Sequence, residues 1–259
     1  MPVQALILPS RGVFSITRDT WEQEYARGYW ERMGVLSELG RYSIIAGYCD
    51  FLKPQGSILD IGCGKGLLPR RMSRGPGTCY LGVDISSIAI DQACAADLPG
   101  TEFVVANATT FEPPHPFDIV IFNEILYYFP DSYEQLRRYQ RYLAPNGLLI
   151  ISMFYSVGSF RAWKAIAPAL QLIDQVRISN RGSRTNYDIA VFTPYHQSGR
   201  IAAPPKGRNR RSALRVLQEH LPLIRELQID HPGAESLTGN RHSRPEREAV
   251  GAYPEVADR

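Results

Sequence analysis

One short segment, residues 57–66, constrains the fold of this chain more than any other. Ser57-Ile58-Leu59-Asp60-Ile61 is an apolar run that ends in an acid, and Gly62-Cys63-Gly64-Lys65-Gly66 follows at once. A strand that runs into a glycine-rich turn suits a ligand that must touch backbone, because glycine tolerates unusual torsions and has no side chain to block approach. Residues 67–74 then read as a helix. The same rhythm continues: strand 79–84, again ending in an acid; helix 86–95 with Ser86 or Ser87 as N-cap; strand 101–105; strand 117–122; helix 133–142; and strand 148–154, opened by Asn146-Gly147. Apolar strands alternating with helices predict βαβ crossovers and a parallel sheet covered on both faces.

The ends of the chain read differently. Residues 20–52 carry a helical pattern, with Tyr25, Tyr29 and Trp30 at helix spacing and a second stripe through Val35, Leu36, Leu39, Ile44 and Ile45, stopped by Lys53-Pro54 and Gly56. After residue 154 a helix over 160–170, kinked or restarted at Pro168, leads to strands 172–179 and 186–192 joined by Asn180-Arg181-Gly182, a hairpin turn. Beyond Thr193 the composition shifts to Pro, Gly, Arg and Asn. One apolar-periodic stretch, 213–229, interrupts it, and residues from His231 on read as disordered.

Composition narrows the function classes. The 259 residues suit one good-sized domain with appendages or two small ones, and 44% hydrophobic with 21% charged residues is ordinary for a soluble globular chain. No apolar run reaches the roughly 20 residues a membrane span needs, and residues 3–8 lack the flanks of a signal peptide, so a cytoplasmic location is expected. A net charge of +3 does not by itself imply nucleic acid. Cys49, Cys63, Cys79 and Cys94 form no Cys-x-x-Cys pair and the five histidines are scattered, so no metal site is expected.

Strand-end loops of a parallel sheet line the crevice where such folds bind ligands, and Asp84 is placed to accept both hydroxyls of a ribose. A dinucleotide is the first candidate. Its fingerprint puts the third glycine five positions after the first, however, whereas here the glycines sit at 62, 64 and 66. The preceding Asp60 would also disfavour a diphosphate at the helix N-terminus, and it would favour a sulfonium ligand with a free ammonium.

Residues 58–66 resemble motif I of class I S-adenosylmethionine-dependent methyltransferases, and the resemblance extends over residues 21–192. It implies a Rossmann-like, doubly wound α/β sheet, mostly parallel with an antiparallel final strand pair, and S-adenosylmethionine as cofactor. The implied cofactor contacts are Asp60, Gly62, Cys63, Gly64 and Gly66 in the loop, Asp84 with Ile85, Asn107-Ala108 near the adenine, and Asn123. Asn107 stands where the family often has an acid. Arg41 looks like the arginine that meets the methionine carboxylate in several small-molecule members, or is a solvated helix charge.

The acceptor is less defined. Asn123-Glu124-Ile125-Leu126-Tyr127-Tyr128 departs from the Asn/Asp-Pro-Pro-aromatic pattern of enzymes that methylate nucleobase or amide amines, and is similar to the run of nodulation N-methyltransferases. A small-molecule acceptor is implied, with no DNA and no membrane span. A homodimer stays open. Glu124, at the end of the fourth strand, is the candidate to hold an acceptor ammonium or take its proton, or it is a structural cap. Tyr25, Tyr29, Tyr127, Tyr128 and Tyr155, with Trp30, are candidates for an aromatic wall around a cation or for ordinary packing. His115 lies before the fourth strand, at the wrong end.

These readings divide the chain into an N-terminal helical lid (1–52), a cofactor-binding core (53–193) and a basic C-terminal extension (194–259) with one helix. The cluster Lys206, Arg208, Arg210, Arg211 and Arg215 is either a solvated linker or a binding arm for a membrane surface, an acidic substrate or RNA. Methyl transfer to nitrogen, transfer to a sugar or phenolic oxygen, and a non-catalytic cofactor-binding module all remain open.

Overall fold

The computed structural model describes residues 17–73, 78–180 and 185–194. In chain order these form α1 (Arg18–Ala26), α2 (Leu36–Leu52), β1 (Ile58–Ile61), β2 (Tyr80–Asp84), α3 (Ser87–Cys94), β3 (Thr101–Val105), β4 (Phe117–Asn123), α4 (Ser132–Gln140), β5 (Leu143–Phe154), α5 (Val157–Ile166), β6 (Leu170–Ser179) and β7 (Asn186–Pro194). The seven strands make one sheet in the order β3-β2-β1-β4-β5-β7-β6. The strands from β3 to β5 are parallel to one another, while β7 runs antiparallel to both of its neighbours. The strand order reverses between β1 and β4, which is where open sheets of this kind bind ligands.

Alternation along the strands builds two cores. Leu59, Ile61, Val120, Phe122, Leu149 and Ile151 pack with Leu136 and Tyr139 of α4 and with Trp163 and Ile166 of α5. Ile58, Ile119, Ile121, Ile150 and Val191 pack on the other face with Tyr42, Ile45 and Cys49 of α2. Both faces are covered, so the parallel strands can be apolar throughout; β1 is buried at all of its positions.

The element boundaries correct several expectations. The helical pattern over 20–52 is broken twice: Gly28 takes φ +70°, the segment Tyr29–Gly34 is a 3₁₀ turn, and Val35 is extended before α2. In place of the helix expected over 67–74 stands one 3₁₀ turn, Pro69–Arg71, after which Met72 is extended. Pro69 suits a first helical turn but has no N–H to give, and Gly75-Pro76-Gly77 leaves a longer helix no room to continue. β5 begins five residues earlier than expected, because Leu143 pairs with Phe117 before a register shift. Pro168 ends α5 in the 3₁₀ turn Ala167–Ala169, and β6 starts at Leu170. Ser86 is the N-cap of α3 and accepts from Ala89 N–H. Arg181-Gly182, the 213–229 stretch and the basic cluster lie outside the described residues.

Phe122 has no exposed surface and packs edge-on against Tyr139, with ring centroids 5.6 Å apart. Phe122→Ala is expected to cost about 3–5 kcal/mol, the range for a large aromatic truncated in a close-packed core. Urea denaturation measures it; a loss under about 1 kcal/mol would show that this core can collapse onto the gap.

Candidate functional site

A cavity of about 330 Å³ opens at the carboxyl ends of β1, β2, β3 and β4. The loop after β1 supplies Gly62, Cys63, Gly64 and Lys65, and the end of β2 supplies Asp84 and Ile85. Asn107, Ala108 and Thr109 follow β3. Asn123, Glu124, Ile125 and Tyr128 form the floor beyond β4. The N-terminal segment closes the remaining side with Trp21, Tyr25, Trp30 and Met33, and α2 contributes Arg41 and Tyr42.

The glycine loop is shaped by its crowding. Gly62 takes φ +73°, and a Cβ there would collide with Ile125 Cδ1. Gly64 takes φ +54°, and a Cβ would stand 2.9 Å from the Tyr25 hydroxyl. Both positions combine left-handed backbone with a neighbour in contact, which only glycine satisfies.

Asp84 is fixed by this loop. Gly64 N–H donates to its Oδ2 at 2.9 Å and Ser86 N–H donates to its Oδ1 at 3.0 Å. Burial pushes its carboxyl pKa up, against these N–H donors, which pull it down. A carboxylate has about four acceptor sites, so each oxygen keeps capacity for a further donor such as a ribose hydroxyl.

Asn107 lines the cavity, but its Oδ1 accepts from the N–H and hydroxyl of Thr109, both at 2.9 Å, in a local turn.

Asp60 lies beneath the loop. It is 1% exposed and outside the cavity lining. Tyr80 donates its hydroxyl to Oδ2, and Oδ1 has no partner. Burial dominates and raises its pKa to about 7, with the Asp84 charge adding to the shift and the Tyr80 hydrogen bond opposing it.

Glu124 follows β4 with φ +63°, a conformation that costs a non-glycine residue on the order of 1–3 kcal/mol. Its carboxylate holds it there. Oε2 accepts from Phe154 N–H at 2.9 Å and from the Tyr127 hydroxyl at 3.0 Å, and Ser152 Oγ is 2.9 Å from Oε1. Burial raises its pKa, and Arg41 with these donors lowers it.

Arg41 is fully enclosed. Its guanidinium donates to Glu38 Oε2 at 3.0 Å and to Asn123 Oδ1, and it lies over the rings of Tyr42 and Tyr187 at 4.3 and 5.0 Å. Tyr187 donates to Glu38 from β7. The alternative of a solvated helix charge therefore does not describe Arg41, which is 2% exposed.

Of the residues expected from sequence, the cavity gathers Tyr25, Trp30, Arg41, Gly62, Cys63, Gly64, Asp84, Ile85, Asn107, Ala108, Asn123, Glu124 and Tyr128. Gly66 stands behind the loop, where a Cβ would meet Phe103 at 3.0 Å and Ala93 at 3.1 Å. Tyr127 lies outside the lining and reaches the site through its hydrogen bond to Glu124 and its ring contact with Tyr128 at 4.6 Å. Tyr29 is 45% exposed and carries the Arg32 guanidinium over its outer face, and Tyr155 lies outside the lining. Sequence reasoning missed Trp21, Met33, Tyr42, Thr109 and Pro130, among other lining residues. The spacing of Trp21 and Tyr25, one helical turn apart, was a usable signal for the first.

A family model described as a methyltransferase domain matches residues 31–189, more than half of the chain. The chain belongs to the methyltransferase-domain family, and its sheet is the Rossmann-like fold of the class I enzymes, whose methyl donor is S-adenosylmethionine. It is 30% identical over 149 residues to the 27-O-demethylrifamycin SV methyltransferase of Amycolatopsis mediterranei, a match covering 54% of each chain. It is 32% identical over 97 residues to the trans-aconitate 2-methyltransferase of Escherichia fergusonii, covering 37% of this chain and 38% of that one. The matches therefore span about half or less of these curated relatives. The fold resembles the N-methyltransferase NodS from Bradyrhizobium japonicum, crystallised with S-adenosyl-L-homocysteine, at a TM-score of 0.54 and 18% identity, covering 64% of this chain and 92% of that chain. The glycine cradle and the anchored Asp84 fit this cofactor. Among the described residues no helix is long and apolar enough to cross a membrane, and no cluster of metal-ligating side chains occurs.

The Asp60 carboxyl gives a pH signature. The unfolded group ionises near 3.8 and the folded group near 7. A raised carboxyl pKa contributes stability that is complete below the unfolded value and is lost as pH rises through the folded one. In ligand-free protein, Asp60→Asn should therefore gain stability relative to the parent as pH rises from 4 to 8. Thermal melts across that range test it, and a difference independent of pH would exclude the titration of Asp60.

Proposed function

We propose that this chain transfers a methyl group from S-adenosylmethionine to a nitrogen of a small, neutral or cationic metabolite. The observation that carries the reading is the charge balance of the cavity. Its two described cations are already engaged, Arg41 with Glu38 at 3.0 Å and Lys65 with Glu31 at 2.5 Å. Its two carboxylates, Asp84 and Glu124, are held by neutral donors. Such a cavity repels a polycarboxylate acceptor and suits an amine. The aromatic wall of Trp21, Tyr25, Trp30 and Tyr128 presents ring surface to a cation, each face contributing about 0.5–2 kcal/mol.

S-adenosylmethionine supplies a methyl group already activated by its sulfonium. The protein's part is positioning and proton handling. Asp84 accepts the ribose hydroxyls, and the loop at Gly62–Gly64 brings backbone against the ligand. Glu124 faces the acceptor, orients its nitrogen and receives its proton; burial favours the protonated form that results.

Asp84→Ala should weaken S-adenosylhomocysteine binding roughly tenfold to a hundredfold, as expected for loss of hydrogen bonds to a charged group. Calorimetry measures this, and an unchanged affinity would remove Asp84 from the site. Glu124→Gln should spare that binding while slowing turnover about a hundredfold. Release of S-adenosylhomocysteine across a panel of amines, phenols, sugars and carboxylates reads it out. Full activity in Glu124→Gln, or turnover of carboxylates alone, would refute the amine assignment. Binding without turnover on any acceptor would favour a non-catalytic module.

A further inference from the structure

α1 has no buried residue of its own. It nevertheless places Trp21 and Tyr25 in the cavity wall, so polar contacts carry much of its placement. Trp21 meets Tyr128 edge-on at 5.1 Å and Trp30 at 5.3 Å, and Trp30 Nε1 donates to Glu24 Oε2 at 3.1 Å, but none of these contacts reaches the strand-end loops that hold Asp84. Between Trp21 and Tyr25, Glu22 reaches across to the start of α3. Oε1 accepts from Ser87 N–H at 2.7 Å and from the Ser87 hydroxyl at 2.8 Å. Oε2 accepts from the Ser86 hydroxyl at 2.8 Å and from Ile88 N–H at 3.3 Å.

The first N–H groups of a helix have no intrahelical partner, and the helix dipole favours an anion beside them. Glu22 supplies that anion from a different helix. Partial burial raises its pKa, but the four donors outweigh this and bring it to about 2, so the carboxylate stays charged across the neutral range. Ser86 is bound on its other side as well, since its N–H donates to Asp84 Oδ1 at 3.0 Å. A continuous chain of hydrogen bonds thus runs from α1 through Ser86 to the Asp84 carboxylate and on to Gly64.

We infer that Glu22 is a positioning residue that latches α1 onto the α3 N-terminus, making α1 the lid over the S-adenosylmethionine pocket. This rests on the cofactor reading above for the ligand, though the latch itself does not. Closure sets Trp21 and Tyr25 against the ligand and links lid position to the Asp84 loop. The ligand leaves when Glu22 releases its four donors.

Glu22→Gln replaces one acceptor oxygen with an NH₂ group that faces donors. Two measurements test the assignment. In ligand-free protein, amide hydrogen exchange of residues 18–26 should quicken about tenfold in the variant while β4 and β5 exchange as in the parent, given the strength of hydrogen bonds to charged acceptors. In stopped-flow, S-adenosylhomocysteine release, followed by the fluorescence of Trp21 and Trp30, should also quicken about tenfold. Glu22→Asp, which keeps the charge on a shorter stem, should fall between parent and Glu22→Gln, and serves alone if Glu22→Gln does not fold. Unchanged exchange in α1 would overturn the latch whether or not any ligand binds. A loosened α1 with unchanged release would overturn the lid. If the parent bound no S-adenosylhomocysteine, the cofactor reading would fall and the lid with it, while exchange would still decide the latch.

Discussion

A buried guanidinium at the centre of the molecule sets the conditions for everything around it. Removing Arg41 from water is costly unless every donor finds an acceptor and the charge is balanced. Glu38 balances it from one turn earlier on α2, Asn123 accepts from it at the end of β4, and the rings of Tyr42 and Tyr187 close over it. Ser152 on β5 lies within hydrogen-bond distance of both Asn123 and Glu124, at 2.9 Å each. One polar network therefore ties α2 to β4, β5 and β7, where an apolar contact would have set position without direction. The strained backbone of Glu124 persists because this network and Phe154 N–H hold its carboxylate.

The second organising constraint is the reversal of strand order between β1 and β4. It leaves a crevice into which four successive strand ends open, so residues from distant parts of the chain meet without any one loop having to be long. Asp84 ends β2, and Asn107 and Glu124 sit just beyond the ends of β3 and β4. Their shared location follows from topology, while their separate environments follow from what buries each. Asp84 is met by backbone N–H groups, Asn107 by its own turn, and Glu124 by side chains of the polar network.

Much of this was legible in the sequence because the signals are local. The acid at the end of β2 and the glycines after β1 lie next to the strands they terminate, and period and punctuation identify both. The antiparallel pair was legible from two apolar runs around a turn signal. The contact of Glu22 with the start of α3 was not: Glu22 and its partners are separated by 64 to 66 residues, and a glutamate on a polar helix has no distinguishing pattern. The Glu38–Arg41 pair could have been noticed at i, i+3, but its burial depends on Tyr187, 149 residues away. Tyr29 fell on the outer side because Gly28 interrupts the helix whose spacing suggested an inward stripe. The helix expected over 67–74 failed for a similar reason, since apolar spacing could not weigh Pro69 and the glycine–proline run beyond it.

The contact between Gly62 and Ile125 has a consequence for how such a protein can diversify. Ile125 occupies the space a side chain on Gly62 would need, so the glycine loop after β1 and the segment after β4 are cut to each other's shape. A larger residue at Gly62 requires a smaller one at Ile125. The rest of the cavity wall, Tyr128, Phe129 and Pro130 on one side and Trp21 and Trp30 on the other, stands clear of this fit, so the cavity can change shape there while the glycine loop keeps its form.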